Sequence, residues 1–220
     1  MLAAGPLLGL SVWACSSVNR GPVPGGVQPT TGGRAVPTPA AQARPDSGAP
    51  AYTAADVHFM SGMISHHAQA VLMAGWAPTH EAGAAVRALC ERIVVAQRDE
   101  IALMQRWLRE RHLPVPEPDP RGHMMPGMDH PMLMPGMLTP EQMAELDRVR
   151  GTEFDRLFLK YMIMHHQGAI TMVEELFGAY GAAQDNLVFK FATDVNADQT
   201  TEIDRMSTML DALPSGGRGH

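Results

Sequence analysis

The sequence is poor in aromatic residues and in cysteine, and it has no excess of positive charge. Phe, Trp and Tyr make up 5% of its 220 residues, there are two cysteines, and the net charge is −6 at pH 7. Nucleic-acid binding usually requires a cluster of positively charged side chains, so nucleic acid is not expected as a partner of this chain. Without a Cys-x-x-Cys-His motif, attached haem is not expected. Structural zinc would need more thiolates than Cys90, the one free thiol expected in the mature chain.

The N-terminal residues 1–15 form an apolar, small-residue-rich run that ends in Val12-Trp13-Ala14-Cys15. The run has the length of a signal-peptide apolar region and is too short to span a bilayer. It resembles a lipoprotein signal, so we expect export and a lipid anchor at Cys15. Trp13 and the lack of a preceding Lys or Arg depart from that pattern, and a disordered apolar N-terminus is the alternative. Residues 16–50 are rich in Pro, Gly and Ala, which predicts a disordered tether.

Methionine and histidine, by contrast, are abundant, with 17 and 10 residues, and they recur in a repeat. Residues 56–73 and 155–172 match at a constant offset of 99, the difference between 155 and 56. The matching positions are Asp56 and Asp155, Phe59 and Phe158, Met63 and Met162, His66-His67 and His165-His166, Ala70 and Ala169, and Met73 and Met172. A repeat of this length indicates two copies of one structural unit.

The pattern around the repeats is helical throughout, and we find no convincing strand. A first helix is predicted from Thr53 to about Trp76, and a second, capped by Thr79, to about His112. Thr139-Pro140 starts a short helix, followed by a long helix that carries the second motif and a last helix to about Leu210. The second and last helices share the pattern Gln-x-x-Glu-Ile-x-x-Met, so the repeat is a whole hairpin.

These elements predict one all-α domain over residues 51–212, a ferritin-like four-helix bundle with a long crossover. Its parts would be hairpin 53–112, a Met/His loop over 113–139, and hairpin 140–211. A flexible tail, residues 213–220, would follow.

Each repeat places methionine and histidine on one helix face, the face that a bundle buries. Met63 lies one turn before His66 and His67, so their side chains can converge on one ion. Met162, His165 and His166 repeat this geometry in the second copy.

Thioether sulfur selects Cu(I) and is a poor ligand for Fe, Mn or Mg. A di-iron site is not expected, because the Glu-x-x-His pairs of such bundles are absent. We therefore predict copper, with Cu(I) favoured.

Further side chains could complete the site. Metal-bound histidines usually donate their other ring N–H to a carboxylate or carbonyl, and the candidate partners are Asp56, Asp155, Glu100 and Glu202. Additional ligand candidates, with core filling as the alternative, are Met73, Met172, Met104 and Met206. The structural alternative for the histidines themselves is that they only hydrogen-bond to these acids or to carbonyls.

The predicted loop gives a second signal for soft metal. Prolines interrupt it, and methionines in an irregular segment can wrap Cu(I) or fold back as an adaptable apolar lid. We weigh the two roles evenly. The residues concerned are His123, Met124, Met125, Met128, His130, Met132, Met134 and Met137.

Between Ala54 and Leu210 the chain resembles the domain-of-unknown-function family 305. The resemblance rests on D-x-x-F-x-x-x-M-I-x-H-H-x-x-A-x-x-M in both copies, on M-P-G-M-L-T-P-E-Q, and on the Q-x-x-E-I-x-x-M helices. It implies a ferritin-like bundle in exported bacterial proteins, some of which bind copper through Met and His. The ligands it implies are Met63, His66, His67, Met162, His165 and His166.

Three functions are consistent with these features. The first is an extracytoplasmic protein that sequesters Cu(I) or hands it to a transfer partner. The second is a metal-dependent oxidase of small substrates such as Cu(I) or peroxide. The third is a structural envelope protein with a histidine-paired core. Hydrolysis is disfavoured, because no nucleophile–base constellation is visible. The sequence does not indicate an oligomeric state.

Overall fold

Five helices and no strand are found in residues 52–122 and 132–214, which are the residues that the computed structural model describes. The helices are α1 (Ala54–Gly75), α2 (Ala84–Glu110), α3 (Pro140–Arg148), α4 (Gly151–Gly178) and α5 (Asn186–Ala212). The predicted all-α class is therefore confirmed. The predictions for residues 1–51, including Cys15, and for 123–131 and 215–220 lie outside the described residues.

Two helix starts follow directly from the local sequence. The Thr53 side chain accepts a hydrogen bond from the Asp56 amide, and the Asp56 carboxylate accepts one from the Thr53 amide, which completes a capping box. Thr139 and Gln142 form the same arrangement at α3, with Pro140 in the first turn. The predicted caps Thr53 and Thr139 are therefore confirmed.

The predicted start of the second helix at Thr79 is wrong, because α2 begins at Ala84. The Thr79 hydroxyl donates to the Trp76 carbonyl instead of capping a new helix. Glu81 has a positive φ of 55°, which no helix residue adopts. Residues 76–81 thus form successive turns, and Gly83 precedes α2 without a side-chain cap.

The two repeat-bearing helices, α1 and α4, pack against each other at the centre of the molecule. Helix α2 packs along α1, α5 packs along α4, and α3 contacts α4. Since α1 and α4 each have neighbours on several sides, their motif faces are fully covered. In residues 52–122 and 132–214, no helix has the length and apolarity needed to cross a membrane.

The matching aspartates of the two repeats, Asp56 and Asp155, each bond to the turn within the other helix pair. Asp56 of α1 binds the turn between α4 and α5, and Asp155 of α4 binds the turn between α1 and α2. Asp56 Oδ1 accepts a 2.7 Å hydrogen bond from the amide of Ala183, in the turn before α5. Both Asp155 carboxylate oxygens accept from the amide of Gly83, before α2, at 3.1 and 3.0 Å. These reciprocal bonds fix α1 and α4 relative to each other, and therefore fix the histidines that they carry.

We expect Asp56→Ala to lower the free energy of unfolding by about 2–3 kcal/mol, because it removes a cap and orphans buried amide groups. Urea denaturation followed by far-ultraviolet circular dichroism measures the change. Asp194→Ala is the matched control, since Asp194 is exposed and pairs with the likewise exposed Lys190 one turn away on the same helix. The control should change stability by less than about 0.5 kcal/mol. Equal losses in the two variants would contradict the connecting role of Asp56.

Candidate metal centre

All four histidines of the repeats lie at the contact between α1 and α4, and each is 0% exposed. The rings of His66 and His165, which occupy equivalent repeat positions, have centroids 3.8 Å apart and an interplanar angle of 39°. Within each pair the rings diverge, with centroids 6.2 Å apart for His66–His67 and 6.3 Å for His165–His166. One histidine of each pair therefore meets its counterpart, and the other points away.

Acceptor groups from three other segments face the Nε2 atoms of these rings. His67 Nε2 lies 2.7 Å from Glu100 Oε2, although the alignment is too poor for a hydrogen bond. His166 Nε2 lies 2.6 Å from Glu202 Oε2, and His66 Nε2 lies 3.0 Å from the Pro135 carbonyl oxygen. The expected contacts of Glu100 and Glu202 with histidine are thus present.

The same role for Asp56 and Asp155 is corrected by the structure. Their carboxylates bond to backbone amides at helix starts and turns, not to any ring nitrogen. The physical reason is position. Each aspartate lies in the first or second turn of its helix, where free amide groups compete for it.

In residues 52–122 and 132–214, the buried Nδ1 atoms of all four histidines have no hydrogen-bond partner, and neither do the Nε2 atoms of His67 and His165. A neutral ring whose Nε2 faces an acceptor carries its proton there and keeps a lone pair on Nδ1. Leaving such atoms unpaired in a protein interior costs about 1–3 kcal/mol each. Metal-bound histidines have this arrangement, with one nitrogen oriented by an acceptor and the other free to ligate.

Burial keeps the two facing rings neutral. Desolvation, with a further contribution from the neighbouring His67, lowers the pKa of His66 to about 3. Desolvation also lowers the pKa of His165 well below its usual value, with His66 as the next cause. A proton therefore does not compete for these nitrogens near neutral pH, and a metal ion could bind them without displacing one.

The predicted methionine ligands are buried in two separate clusters. Repeat-equivalent residues fall in opposite clusters, so that each cluster receives one of the predicted methionine ligands from each of three helices. The first contains Met63, Met104 and Met172, and the second contains Met73, Met162 and Met206. Along α1, Met63 precedes and Met73 follows the histidine pair, so the thioether groups lie on both sides of the imidazoles.

In residues 52–122 and 132–214, no group of three or more His, Cys, Asp or Glu side chains has an arrangement that could hold a metal ion. The other candidate donors near the imidazoles are the buried thioethers of the two methionine clusters. The donor set that the residues offer is soft, which fits copper and not a hard cation.

The described end of the predicted loop lies directly on α4. A Cβ atom on Gly168 would lie 2.0 Å from the Pro135 carbonyl oxygen, so only glycine allows this approach. Gly136 has a φ of +77° and would meet the α4 backbone in the same way. The approach positions the carbonyl group that accepts from His66.

Gln69 of α1 binds the same segment from the other side. Its amide group donates to the Leu138 carbonyl at 3.1 Å and accepts from the Leu138 amide at 2.6 Å. Our sequence reasoning missed Gln69, Pro135 and Gly168. A signal was present, because Gln69 and Gly168 occupy equivalent positions 99 residues apart and differ between the repeats.

Within the loop, Met134 and Met137 are buried against the helices, at 4% and 6% exposure, in the cluster of Met63. This packing fits the lid role for these two residues, while ligation by them stays a prediction. Met132 is partly buried. The remaining loop candidates, His123, Met124, Met125, Met128 and His130, lie outside the described residues.

Comparisons with known proteins point to one family. A family model described as "Domain of unknown function (DUF305)" matches residues 56–210, and no curated protein matches the chain. A DUF305 protein from Streptomyces coelicolor, named as a candidate secreted protein, has a similar crystal structure with a TM-score of 0.62 and 28% identity, covering 76% of this chain and 98% of that one. A DUF305 fragment from Deinococcus radiodurans gives a TM-score of 0.61 and 29% identity, covering 74% and 99%.

The solved structures also include forms of a protein named CopM. Its Cu(II)-bound form is 25% identical with a TM-score of 0.55, covering 71% of this chain and 95% of that one. A silver-bound form is 25% identical with a TM-score of 0.54, covering 73% and 98%.

Because the folded pKa of His66 lies near 3, against about 6.5 in an unfolded chain, the unfolded state binds more protons between these values. The metal-free protein should therefore lose stability as the pH falls from 6.5 towards 3. The slope of the unfolding free energy against pH should reach about 1.4 kcal/mol per pH unit for each of His66 and His165. Urea denaturation at pH 7, 6 and 5 measures it. The His66→Gln/His165→Gln variant should have a flatter profile, and an unchanged slope would contradict the assignment.

Gly168→Ala should displace Pro135 and break its hydrogen bond with His66, since the added methyl group overlaps the carbonyl. We expect a loss of about 1–3 kcal/mol in unfolding free energy and a shift of the His66 ring resonances in the NMR spectrum. Gly178→Ala is the control, because an added Cβ there meets nothing within 4 Å. If both variants kept the wild-type His66 signals, the proposed dependence of the Pro135 position on Gly168 would be contradicted.

Proposed function

We propose, from the premise that the chain belongs to the DUF305 family, that it binds copper as cargo, with Cu(I) favoured, and sequesters it or hands it to a partner protein. The observation that carries this proposal is the set of buried, unpaired Nδ1 atoms between two buried methionine clusters. Neutral imidazole nitrogen and thioether sulfur together are the ligand types that select Cu(I). A purely structural core would leave these nitrogens without a partner, at an energetic cost.

The likeness to CopM supports a copper-related role, since CopM has been solved with Cu(II) and with silver bound. Silver and Cu(I) are both soft monovalent ions, which suits thioether ligands. The Streptomyces coelicolor relative, named as a candidate secreted protein, supports export. We propose in addition that Cys15 carries a lipid anchor and that residues 16–50 tether the domain to a membrane.

For the site we propose two soft centres related by the repeat. Each centre would combine the histidine pair of one motif with the methionine that precedes that pair by one turn. Two further methionines of the same cluster would support it. One centre would use Met63 with His66 and His67, supported by Met104 and Met172. The other would use Met162 with His165 and His166, supported by Met73 and Met206. Glu100 and Glu202 would orient the outward-pointing rings.

For the fold we propose that α1, α2, α4 and α5 form a ferritin-like four-helix bundle made of two repeated hairpins, with α3 in the crossover. The packing of α2 along α1, of α5 along α4, and of α1 against α4 supports this arrangement. The equivalent placement of the methionines in opposite clusters supports a two-fold relation between the hairpins.

An anaerobic Cu(I) titration of the full chain against a chromogenic chelator tests the function. We expect the wild type to bind Cu(I) saturably. The Met63→Leu/Met162→Leu variant should bind roughly 10- to 100-fold more weakly, by analogy with losses at other metal sites. Four His→Gln substitutions at 66, 67, 165 and 166 should abolish binding. The matched control is Met60→Leu. Met60 is as buried as Met63, but its repeat counterpart is Leu159, so the fold already accepts leucine there.

Circular dichroism of each variant distinguishes lost binding from lost folding. Equal affinity in Met63→Leu/Met162→Leu and the wild type would contradict thioether ligation, and no binding by the wild type would contradict the copper proposal altogether. A further variant lacking residues 123–131 shows whether the loop contributes ligands. Oxygen uptake on addition of Cu(I) would favour the oxidase alternative.

A further inference from the structure

A cavity of about 410 Å³ opens to solvent between α2 and α5. Its lining includes Gln97 and Glu100 of α2 and Asp198, Gln199 and Glu202 of α5. Gln97 and Gln199 are equivalent in the repeat, as are Glu100 and Glu202, and each Gln precedes its Glu by three residues. The same pair of side chains therefore faces the cavity from both helices.

The two glutamines have no structural explanation within the described residues. Gln97 is 3% exposed and Gln199 is 4% exposed, yet neither Oε1 atom has a hydrogen-bond partner. A buried acceptor without a donor costs about 1–3 kcal/mol. Two such oxygens at equivalent positions of one cavity that opens to solvent can accept from a donor such as water or bind a cation.

The charge around the cavity selects a cation. Three carboxylates line it, against the guanidinium groups of Arg92 and Arg205. Partial burial and then the nearby carboxylates of Glu100, Asp194 and Glu202 raise the pKa of Asp198, which reflects a negative potential at this position. An opening with this sign concentrates cations and repels anions.

Two side chains that line the cavity contact the histidines. Glu100 and Glu202 line it, and the same two carboxylates contact His67 and His166, at 2.7 and 2.6 Å. On another side of the histidines, Pro135 and Gly136 are in direct backbone contact with α4, with too little space for even a methyl group. The α2/α5 cavity is thus separated from His67 and His166 only by the Glu100 and Glu202 side chains that line it, while the α4 contact is closed.

We propose that this cavity is the port through which the metal cation enters and leaves, and that the Gln97 and Gln199 oxygens hold it on the way. This inference rests on the proposed function. Amide oxygens are hard ligands and bind a soft cation weakly, so they can replace some of its waters without retaining it. The ion then exchanges these oxygens and its remaining waters for imidazole nitrogen and thioether sulfur, with no change of oxidation state.

A port affects the rate constants of metal association and dissociation but not Kd, because an obstruction slows entry and exit by the same factor. Ala96 and Thr201 also line the cavity and are exposed, so Ala96→Arg and Thr201→Arg place a bulky cation at the opening. Thr171→Arg is the matched control. Like Thr201, Thr171 is exposed on a helix and donates to the carbonyl four residues earlier, but Thr171 does not line the cavity.

The experiment is stopped-flow binding of Ag(I) to the full chain, with dissociation followed by transfer to excess chelator and affinity measured at equilibrium. We expect Thr201→Arg and Ala96→Arg to lower both the association and the dissociation rate constants by roughly 10-fold or more, the scale of electrostatic effects on charged openings. Kd should stay unchanged. Gln97→Leu/Gln199→Leu should also slow both steps, and Thr171→Arg should match the wild type.

The other outcomes are distinct. Wild-type rates in Thr201→Arg and Ala96→Arg, with normal affinity, would overturn the port and leave the proposed function intact. A weaker Kd with an unchanged association rate in Gln97→Leu/Gln199→Leu would make the glutamines ligands of the stored ion, which also overturns the port. No Ag(I) or Cu(I) binding by the wild type would overturn the proposed function and the port together.

Discussion

Four imidazoles buried in the contact of two helices are the constraint on which the rest of the structure depends. A ring removed from water must find partners for two nitrogens, and a helix face supplies none, because its own amides and carbonyls are already bonded. The acceptors come from elsewhere, namely Glu100 on α2, Glu202 on α5 and the Pro135 carbonyl in the crossover. Three segments that are distant in sequence are therefore held against α1 and α4 by the chemistry of the rings.

One difference between the two repeats follows from the single crossover. Only one segment joins the two helix pairs, so its contacts cannot be duplicated. The repeat position shared by Gln69 and Gly168 shows this clearly. On α1 the amide of Gln69 bonds to the Leu138 backbone, while on α4 the missing side chain of Gly168 admits Pro135. His66 gains a carbonyl partner in this way, whereas neither ring nitrogen of its counterpart His165 forms a hydrogen bond with a described residue.

The helical class, the caps at Thr53 and Thr139 and the burial of the motif face could be predicted because each depends on residues close in sequence. The histidine contacts of Glu100 and Glu202 could also be predicted, because the two glutamates occupy equivalent positions in the repeated pattern of the second and last helices. The roles of Asp56 and Asp155 were not, because the amides that they bond are 127 and 72 residues away. The start of α2 was mispredicted for a related reason. A positive φ at Glu81 is set by the packing of the turn and not by a glycine at that position.

The charge balance of the centre gives an independent reason to favour Cu(I) over Cu(II). Thioethers and neutral imidazoles carry no charge, so the cation's full charge would enter a buried environment, where an unbalanced charge is costly. Glu100 and Glu202 lie behind His67 and His166 and can offset that charge through the rings. A monovalent ion at each of two centres would be matched by one such carboxylate, whereas a divalent ion would leave one charge uncompensated. In the proposed copper site, the same two acids that line the α2/α5 cavity would therefore favour a monovalent ion.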